Sequence, residues 1–409
     1  MKLRKLFTWA LLTCLGLLQP VTLAAQEATE EEYTDTLFHD NIDRTADDFV
    51  IASICIADPT DWRNDFLGIM GHAFIHLQCP AFGLDYAFSY EAESAEEEMG
   101  RFLKGQLHMG MFCVPFDEYL QPFRRWKCAI REYSFHLPPE VKQRLWKVMD
   151  DKVKEGKDLE LNLAERGCAQ TLVQFVEKAL EDIPIQYAPW PEEFKLTRHQ
   201  LIDKYLAKYP WLLIVCSELL ISEDMNTLVA PERKILFPTQ LAEVWQKATV
   251  NGQPLLTYKG MVVEAPELVV EDTLITPTIA ALLVLILTTL AIVLRQRTQR
   301  RSLLMAANTV QYAVLALQCV VGLVLLWLVM VSNLPGTKGA HLLPLYTPLP
   351  LLLWRWRRFW ARPYAVLLLL WAVCINFIPS IAINSAHLIL AAAIALLMFF
   401  EGKRTQSKA

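Results

Sequence analysis

The long apolar runs of this sequence contain no Asp, Glu or Lys. Five such runs lie beyond residue 273, and they cover residues 274–294, 310–331, 342–354, 365–381 and 388–400. Acidic and lysine side chains inside membrane segments usually mark ion or proton pathways. Their absence argues against a channel or an ion pump, although the longest runs reach the roughly 20 residues that span a bilayer.

The sequence also lacks a zinc-protease motif. Ala-Phe-Ile separates His72 from His76, so the glutamate general base of that motif is missing. His108, His136 and several cysteines leave a zinc site open as an alternative. We nevertheless expect no metal, no other cofactor and no nucleic-acid partner.

The N-terminus has the pattern of a secretory signal peptide over residues 1–25. Lys2, Arg4 and Lys5 precede an apolar run, and small residues precede a cleavage position after Ala24 or Ala25. An uncleaved anchor helix is the alternative. An acidic leader, residues 26–48, follows without helical or strand periodicity.

Arginine and lysine clusters indicate which ends of the five apolar runs face the cytoplasm. They follow the first, third and fifth runs: Arg295, Arg297, Arg300 and Arg301; Arg355, Arg357, Arg358 and Arg362; Lys403, Arg404 and Lys408. The positive-inside rule then predicts a five-span membrane domain, residues 273–402, with a cytoplasmic tail, 403–409. Residues 49–272 would lie outside the cytoplasm, as a signal peptide requires. The third run is broken by prolines and could be re-entrant.

The predicted soluble region, residues 49–272, is centred on a cysteine at the start of a predicted helix, residues 166–180. Five apolar residues recur at helical spacing: Leu172, Val173, Val176, Ala179 and Leu180. Cys168 falls in the first turn, where unpaired N–H groups and the helix dipole favour a thiolate. A core cysteine or half of a disulfide is the alternative, because six cysteines lie in this region: Cys55, Cys79, Cys113, Cys128, Cys168 and Cys216.

His72 opens a short apolar run that predicts a strand, and it is the best candidate base for Cys168. Further strands are predicted over 49–56, 85–90 and 102–112, and helices over 137–149, 201–221 and 239–248. In the 85–90 strand, Tyr86, Phe88 and Tyr90 share one face and Ser89 lies on the other. Asn251-Gly252 predicts a hairpin turn. The fold class is therefore α+β.

Basic and aromatic residues alternate around Trp126. Arg124, Arg125 and Arg131 could contact phosphate head groups of a membrane. A plain amphipathic helix or strand edge is the alternative.

Several of these features occur in one order and spacing. They are Cys55 with Pro59, Gly71-His72, residues 85–90, Phe102 with Gly105, Tyr119, Arg131 followed by Leu137, the Cys168-Ala-Gln-Thr171 helix start and Phe237-Pro238. Together they resemble the periplasmic thiol domain of the Lnb-type bacterial lipoprotein N-acyltransferases, over roughly residues 45–265. One position departs from that family, which often has Asn before the cysteine where this chain has Gly167.

The resemblance implies a permuted papain-like (NlpC/P60-related) periplasmic domain followed by an α-helical transmembrane bundle in the bacterial inner membrane. It implies that Cys168, activated by His72, takes an acyl chain from a phospholipid or lipoprotein lipid as a thioester. The free α-amine of a diacylglyceryl-cysteine lipoprotein would then accept that chain.

The remaining site roles are hypotheses. His76 is the first choice to orient His72, and Ser89 or Tyr90 is the second. The backbone at Cys168, beside Gly167, would hold the oxyanion. Two other functions use the same sequence: a cysteine-dependent peptidoglycan amidase or peptidase, and a non-enzymatic envelope sensor or assembly factor.

Overall fold

The computed structural model describes most of the chain outside the N-terminus. The described residues are 43–61, 63–65, 67–94, 97–156, 159–160, 167–189, 200, 203–204, 206–215, 237–270, 274–333, 341–378 and 383–406. The predicted signal peptide, most of the acidic leader and Cys216 lie outside the described residues.

A seven-stranded antiparallel sheet forms the centre of the described soluble region. Its strands are β1 (Ile51–Ala57), β2 (His72–Cys79), β3 (Leu84–Ala92), β4 (His108–Pro115), β5 (Ile130–Phe135), β6 (Leu159–Glu160) and β9 (Leu256–Val263). Their order is β6-β4-β3-β2-β1-β5-β9, so β2 is the middle strand. The predicted Asn251-Gly252 turn is confirmed: both residues have positive φ and join β7 (Thr249–Val250) to β8 (Gln253–Pro254).

The side chains of β2 alternate between two different environments. Ala73, Ile75 and Leu77 point into the main hydrophobic core. Phe74 points to a second cluster on the opposite face of the sheet. His72 and His76 share that second face with Phe74, because alternate residues of a strand point the same way.

Two long helices cover the core face. They are α4 (Pro139–Glu155) and α5 (Cys168–Leu180), and the five predicted apolar residues of α5 are all buried. The short helix α6 (Pro210–Leu212) follows in the chain, and helix α7 (Pro238–Gln246) completes the core-face layer with Leu241 and Trp245. Two short helices, α2 (Phe116–Tyr119) and α3 (Gln121–Trp126), cover the other face.

The predicted strand over 102–112 is partly wrong. Residues 99–104 form helix α1 (Met99–Lys104), and the strand begins only at His108. Gly105 ends the helix with φ 69°, a left-handed conformation that glycine adopts without steric cost. The apolar alternation of this segment therefore begins before the strand does.

Three helices in the described part of the chain are long and apolar enough to cross a membrane. They are α8 (Pro277–Arg297), α9 (Arg301–Val331) and the continuous helical stretch Trp354–Phe377, which contains α11 (Arg357–Cys374). Helix α12 (Ser385–Gln406) has a shorter apolar part, Ser385–Glu401. The third predicted run is not a continuous helix: it contains the short helix α10 (Leu349–Leu352).

Contacts at the helix ends show how the chain runs through this bundle. Arg295 and Arg357 both pair with Glu401, which brings the end of α8, the start of α11 and the end of α12 together. Thr278 and Ser385 meet at the opposite end, 3.1 Å apart. Helix α9 leaves the Glu401 end and α11 starts there, and the described residues 341–356 return along the bundle between them.

Side chains of neighbouring helices satisfy the irregular backbone of this returning segment. Donors on α9 and α11 reach its carbonyl groups: Gln318 to Leu345, Tyr364 to Pro344, Trp371 to His341 and Trp360 to Leu353, at 2.7–3.1 Å. Gly322 lets the segment approach α9, because a Cβ there would lie 1.5 Å from the Tyr346 carbonyl oxygen. Non-helical backbone at membrane depth requires this kind of internal hydrogen bonding.

The soluble region contacts the end of the bundle that is remote from Glu401. The Asn333 N–H donates to the Lys104 carbonyl at 2.8 Å, and the Trp211 indole donates to the Ile275 carbonyl at 2.9 Å. Ile214 packs with Ala281 of α8 and with a residue near the start of α12.

Candidate active site

Cys168 occupies the first position of helix α5, as the sequence predicts. Gly167 precedes it in an extended conformation, with φ −64° and ψ 160°. The sulfur accepts hydrogen bonds from the backbone N–H groups of Ala73 and Ala169. Cys168 is a free thiol. The position therefore has the local geometry that stabilises a thiolate.

His72, the first residue of β2, is hydrogen-bonded to the Cys168 thiol. Burial by itself would raise the pKa of Cys168, but the His72 charge and hydrogen bonds lower this pKa below its ordinary value of 9.0. Burial by itself would lower the pKa of His72, but the Cys168 thiolate raises it from 6.5 to about 9, with smaller contributions from carboxylates. Each group therefore favours the charged form of the other.

Gly71 allows the chain to turn into β2 at the point where His72 is needed. Its φ is 77°, and an added Cβ would lie 2.8 Å from the Ala57 carbonyl oxygen. Both the positive φ and the close approach require glycine.

Two polar side chains of β3 lie beside the imidazole of His72. Its Nε2 is 2.7 Å from the Ser89 hydroxyl oxygen and 3.7 Å from a carboxylate oxygen of Glu91. Since the Ser89 hydroxyl is the hydrogen-bond partner of Nε2, Nδ1 is the ring nitrogen left to bond Cys168. The hydroxyl of Tyr119, on helix α2, is hydrogen-bonded to both Ser89 and Glu91.

A cavity of about 410 Å³ opens onto this pair. One part of its lining is apolar and includes Leu67, Met70, Met109, Phe123 and Trp126. The other part carries the carboxyl groups of Asp58, Asp65, Glu91 and Glu93. Among the described lining residues there is no Lys or Arg, but Arg131 and Arg101, outside the lining, pair with Asp58 and Glu93. The cavity therefore combines apolar surface with carboxyl groups that are in part paired.

The structure gives His76 a different role from the one predicted. Its Nδ1 lies 2.7 Å from Glu132 and its Nε2 lies 2.7 Å from Asp85. Both ring nitrogens are therefore occupied by carboxylates, and the predicted orienting contact with His72 is corrected to Ser89, the second choice. The ring also stacks on Phe116 with a centroid distance of 3.5 Å.

His76 belongs to a separate buried cluster with Cys55 and Glu132. Possible metal-ligating atoms of these three residues lie within 4.8 Å of one another. However, Glu132 also accepts a hydrogen bond from Lys259 at 3.1 Å. Burial by itself would raise the pKa of Glu132, but His76 and Lys259 lower it. Because both ring nitrogens and the carboxylate already have partners, these residues fit an ion-pair network better than a metal site.

The predicted head-group arginines do not line the cavity. Arg131 pairs with Asp58, and Arg124 pairs with Asp117 at 2.8 Å. Arg125 is exposed on helix α3. Contact between these arginines and phosphate head groups of a membrane stays a prediction. Tyr90 does line the cavity, but it lies on the core face of β3, opposite the face that carries Ser89.

Sequence reasoning missed Glu91 and the role of Tyr119. Strand alternation carries a signal for Glu91, because residues 89 and 91 share one face of β3. No local pattern brings Tyr119 to Ser89, since a separate helix on the far face of the sheet delivers it. Comparisons with protein-family models, with curated proteins and with solved structures found no match for this chain.

Proposed function

We propose that this protein is a membrane-bound acyltransferase with Cys168 as its nucleophile. The observation that carries the proposal is the Cys168–His72 pair, whose members shift each other's pKa and face a partly apolar cavity. Two ionisable groups that line a cleft and shift each other's pKa favour an activated thiol over a packing cysteine. The resemblance to Lnb-type lipoprotein N-acyltransferases supports the same chemistry.

The proposed reaction has two steps. The Cys168 thiolate attacks an ester carbonyl of a membrane lipid, and His72 gives its proton to the leaving alcohol. The oxyanion would be held by the backbone N–H of Cys168 at the start of helix α5. An amine then attacks the thioester and passes its proton to His72, which restores the thiolate–imidazolium pair and releases an N-acylated product.

The cavity lining supports an amine as the acceptor. Carboxyl groups of the lining, such as that of Glu91, can accept hydrogen bonds from the N–H groups of an amine and so hold it beside the thioester. The apolar part of the lining suits an acyl chain. We therefore propose the free α-amine of a diacylglyceryl lipoprotein as the acceptor and a phospholipid as the acyl donor.

The position of the soluble region relative to the helices supports lipid substrates. The loop after β1 lines one side of the cavity with Asp58 and Thr60. Asp61 of the same loop lies near enough to Tyr209 for its charge to act on the Tyr209 hydroxyl. Trp211, two residues further on, is bonded to Ile275 at the start of the bundle. On the other side, the lining residue Glu93 pairs with Arg101 of helix α1. Lys104, the last residue of this helix, accepts a hydrogen bond from Asn333, just beyond the end of α9.

We propose a topology with five membrane crossings. The returning segment, described over residues 341–356, supplies the third crossing, although these residues are not a continuous helix. With the arginine-rich Glu401 end in the cytoplasm, the soluble region lies in the periplasm and the C-terminus is cytoplasmic. The early His strand and the later Cys helix are consistent with a permuted papain-like arrangement.

The mass of the N-terminal lipopeptide of a reporter lipoprotein tests the proposed function. Cells lacking this protein are complemented with wild type, Cys168→Ala or Cys113→Ala. Cys113 is an exposed free thiol outside the described cavity lining, so its variant is the matched control. We expect wild type and Cys113→Ala to add one acyl chain and Cys168→Ala to add none.

Other outcomes would overturn the proposal. If Cys168→Ala also adds the chain, the thiol is structural. If wild type leaves the mass unchanged, the acyltransferase is wrong, and hydrolysis of soluble muropeptides would then identify a cysteine amidase that uses the same pair.

A further inference from the structure

We propose that Tyr119 and Glu91 are positioning residues that fix the ring orientation and the tautomer of His72 through Ser89. Their importance for acyl transfer rests on the proposed function. Their effect on the Cys168 thiol does not, because thiol reactivity can be measured without any acyl substrate.

The number of hydrogens fixes the direction of the hydrogen bonds. Tyr119 has one hydroxyl hydrogen and two oxygen neighbours, Glu91 and Ser89, the latter at 2.9 Å. An ionised carboxylate only accepts, so Tyr119 donates to Glu91 and must accept from Ser89. The Ser89 hydrogen is then committed, and its oxygen accepts from the Nε2–H of His72 at 2.7 Å.

This direction determines the tautomer. With Nε2 always protonated, Nδ1 is the nitrogen that exchanges a proton at the reaction centre. The neutral ring left after His72 protonates an alcohol keeps its Nε2–H, and Nδ1 is free to take the next proton. Partners of the second ring nitrogen set this choice generally.

Packing holds Tyr119 in place for this task. Its ring lies 4.8 Å from Phe74 and 5.6 Å from Phe123, measured between ring centroids. Burial and the nearby Glu91 charge raise the pKa of Tyr119 well above 10.0. The hydroxyl therefore keeps its proton throughout the pH range in which Cys168 and His72 titrate.

Glu91 acts mainly through Tyr119. Its carboxylate is 3.7 Å from Nε2 of His72, which is too long for a direct hydrogen bond. Its charge still stabilises the imidazolium, and so stabilises the thiolate that the imidazolium faces. Removing either the Tyr119 hydroxyl or the Glu91 carboxylate should make the Cys168 thiol harder to ionise.

The test is the pH profile of Cys168 alkylation by iodoacetamide in the purified full-length protein in detergent. The Cys168 peptide is followed by mass, and the Cys113 peptide in the same sample is the internal reference. The variants are Tyr119→Phe, Glu91→Gln and Ser89→Ala. Tyr133→Phe is the matched control, because Tyr133 is a buried tyrosine on β5 that packs against Tyr258.

We expect each of the three variants to raise the midpoint of the profile by about one pH unit, which is about a tenfold slower alkylation below the midpoint. The Tyr119→Phe and Glu91→Gln double variant should shift the midpoint by less than the two single shifts together, since both act on one chain of hydrogen bonds. Tyr133→Phe should follow wild type.

The proposal is overturned if Tyr119→Phe and Glu91→Gln are folded and their profiles superimpose on wild type. Should Tyr119→Phe fail to fold, judged by its thermal unfolding and its Cys113 alkylation, Glu91→Gln decides by itself. If the three variants shift the alkylation midpoint as expected but wild type transfers no acyl chain, the proposed function is refuted and the positioning role stands.

Discussion

The imidazole of His72 is hydrogen-bonded to the thiol of Cys168, although the two residues lie on different layers of the soluble region. His72 begins the middle strand of the sheet, and Cys168 begins a helix packed on the core face of that sheet. The two residues meet because each is the first residue of its element, and the N-terminus of the helix lies beside the first residue of the strand. The proposed reactivity of the site depends on this pair.

The ionisation of this pair should be visible in the pH dependence of alkylation. The pKa of Cys168 lies below 9.0, so the wild-type rate should rise with pH through a midpoint below 9. In His72→Ala the cation is lost while burial remains, so the midpoint should move above 9. His136→Ala, which changes an exposed histidine bonded to Thr257, is the control and should match wild type. An unchanged midpoint in His72→Ala would contradict the ion pair.

Acyl transfer should depend on pH differently from alkylation. Transfer requires both the thiolate and the protonated imidazole, so its rate should rise through the Cys168 pKa and fall as His72 loses its proton near pH 9. The measurement is the single-turnover rate of transfer across pH 5 to about 10. A rate that is still rising at the top of this range, about pH 10, would show that His72 does not donate the proton.

Gly71→Ala should destabilise the protein more than Gly83→Ala. Both glycines have positive φ and directly precede a strand, Gly71 before β2 and Gly83 before β3. A Cβ at Gly71 meets the Ala57 carbonyl, and one at Gly83 meets nothing within 4 Å. Left-handed alanine costs about 1–2 kcal/mol at either site. The steric contact should add about 1–3 kcal/mol at Gly71. Chemical unfolding of the two variants measures the difference, and equal losses would count against the contact.

Gly322→Ala should loosen the membrane bundle. The added Cβ would overlap the Tyr346 carbonyl, so the returning segment must shift, at a cost of about 1–3 kcal/mol. Ala316→Val on the exposed face of the same helix adds volume without that overlap and is the control. Thermal unfolding in detergent should show a lower midpoint for Gly322→Ala alone. Equal midpoints would indicate that the segment does not pack there.

Reporter fusions should distinguish five crossings from four. With five crossings, alkaline phosphatase fused after Asn333 or Ile378 should be active, and fusions after Thr298, Arg358 or Gln406 should be inactive. If residues 341–356 do not cross, the results after Arg358, Ile378 and Gln406 should all reverse. This set of fusions tests the orientation of the soluble region at the same time.

Much of the fold could be predicted from the sequence because its signals are local. The apolar spacing in 168–180, the apolar run after His72 and the alternation of 85–90 each determine one face of one element. The strand predicted over 102–112 was placed too early, because the left-handed turn at Gly105 separates a helix from the strand. Alternation by itself does not show such a boundary.

The partner of His72 depends on contacts between elements. Antiparallel pairing of β2 with β3 sets Ile75 opposite Phe88, and this register brings Ser89 and Glu91 to His72. The same sheet face takes His76 to Glu132 on β5 instead. A pattern within β2 suggested His76 because it shares a face with His72, but shared face and contact are different properties.

The sequence by itself determined the α+β class, the cysteine at a helix start, the histidine at a strand start and the apolar C-terminal segments. Each of these follows from residue type and period within one stretch of chain. Only the tertiary structure decided which groups meet: Cys168 with His72, Ser89 with Tyr119, and the returning segment with Gly322. Those contacts depend on strand register and helix packing between distant parts of the chain, which no local period encodes.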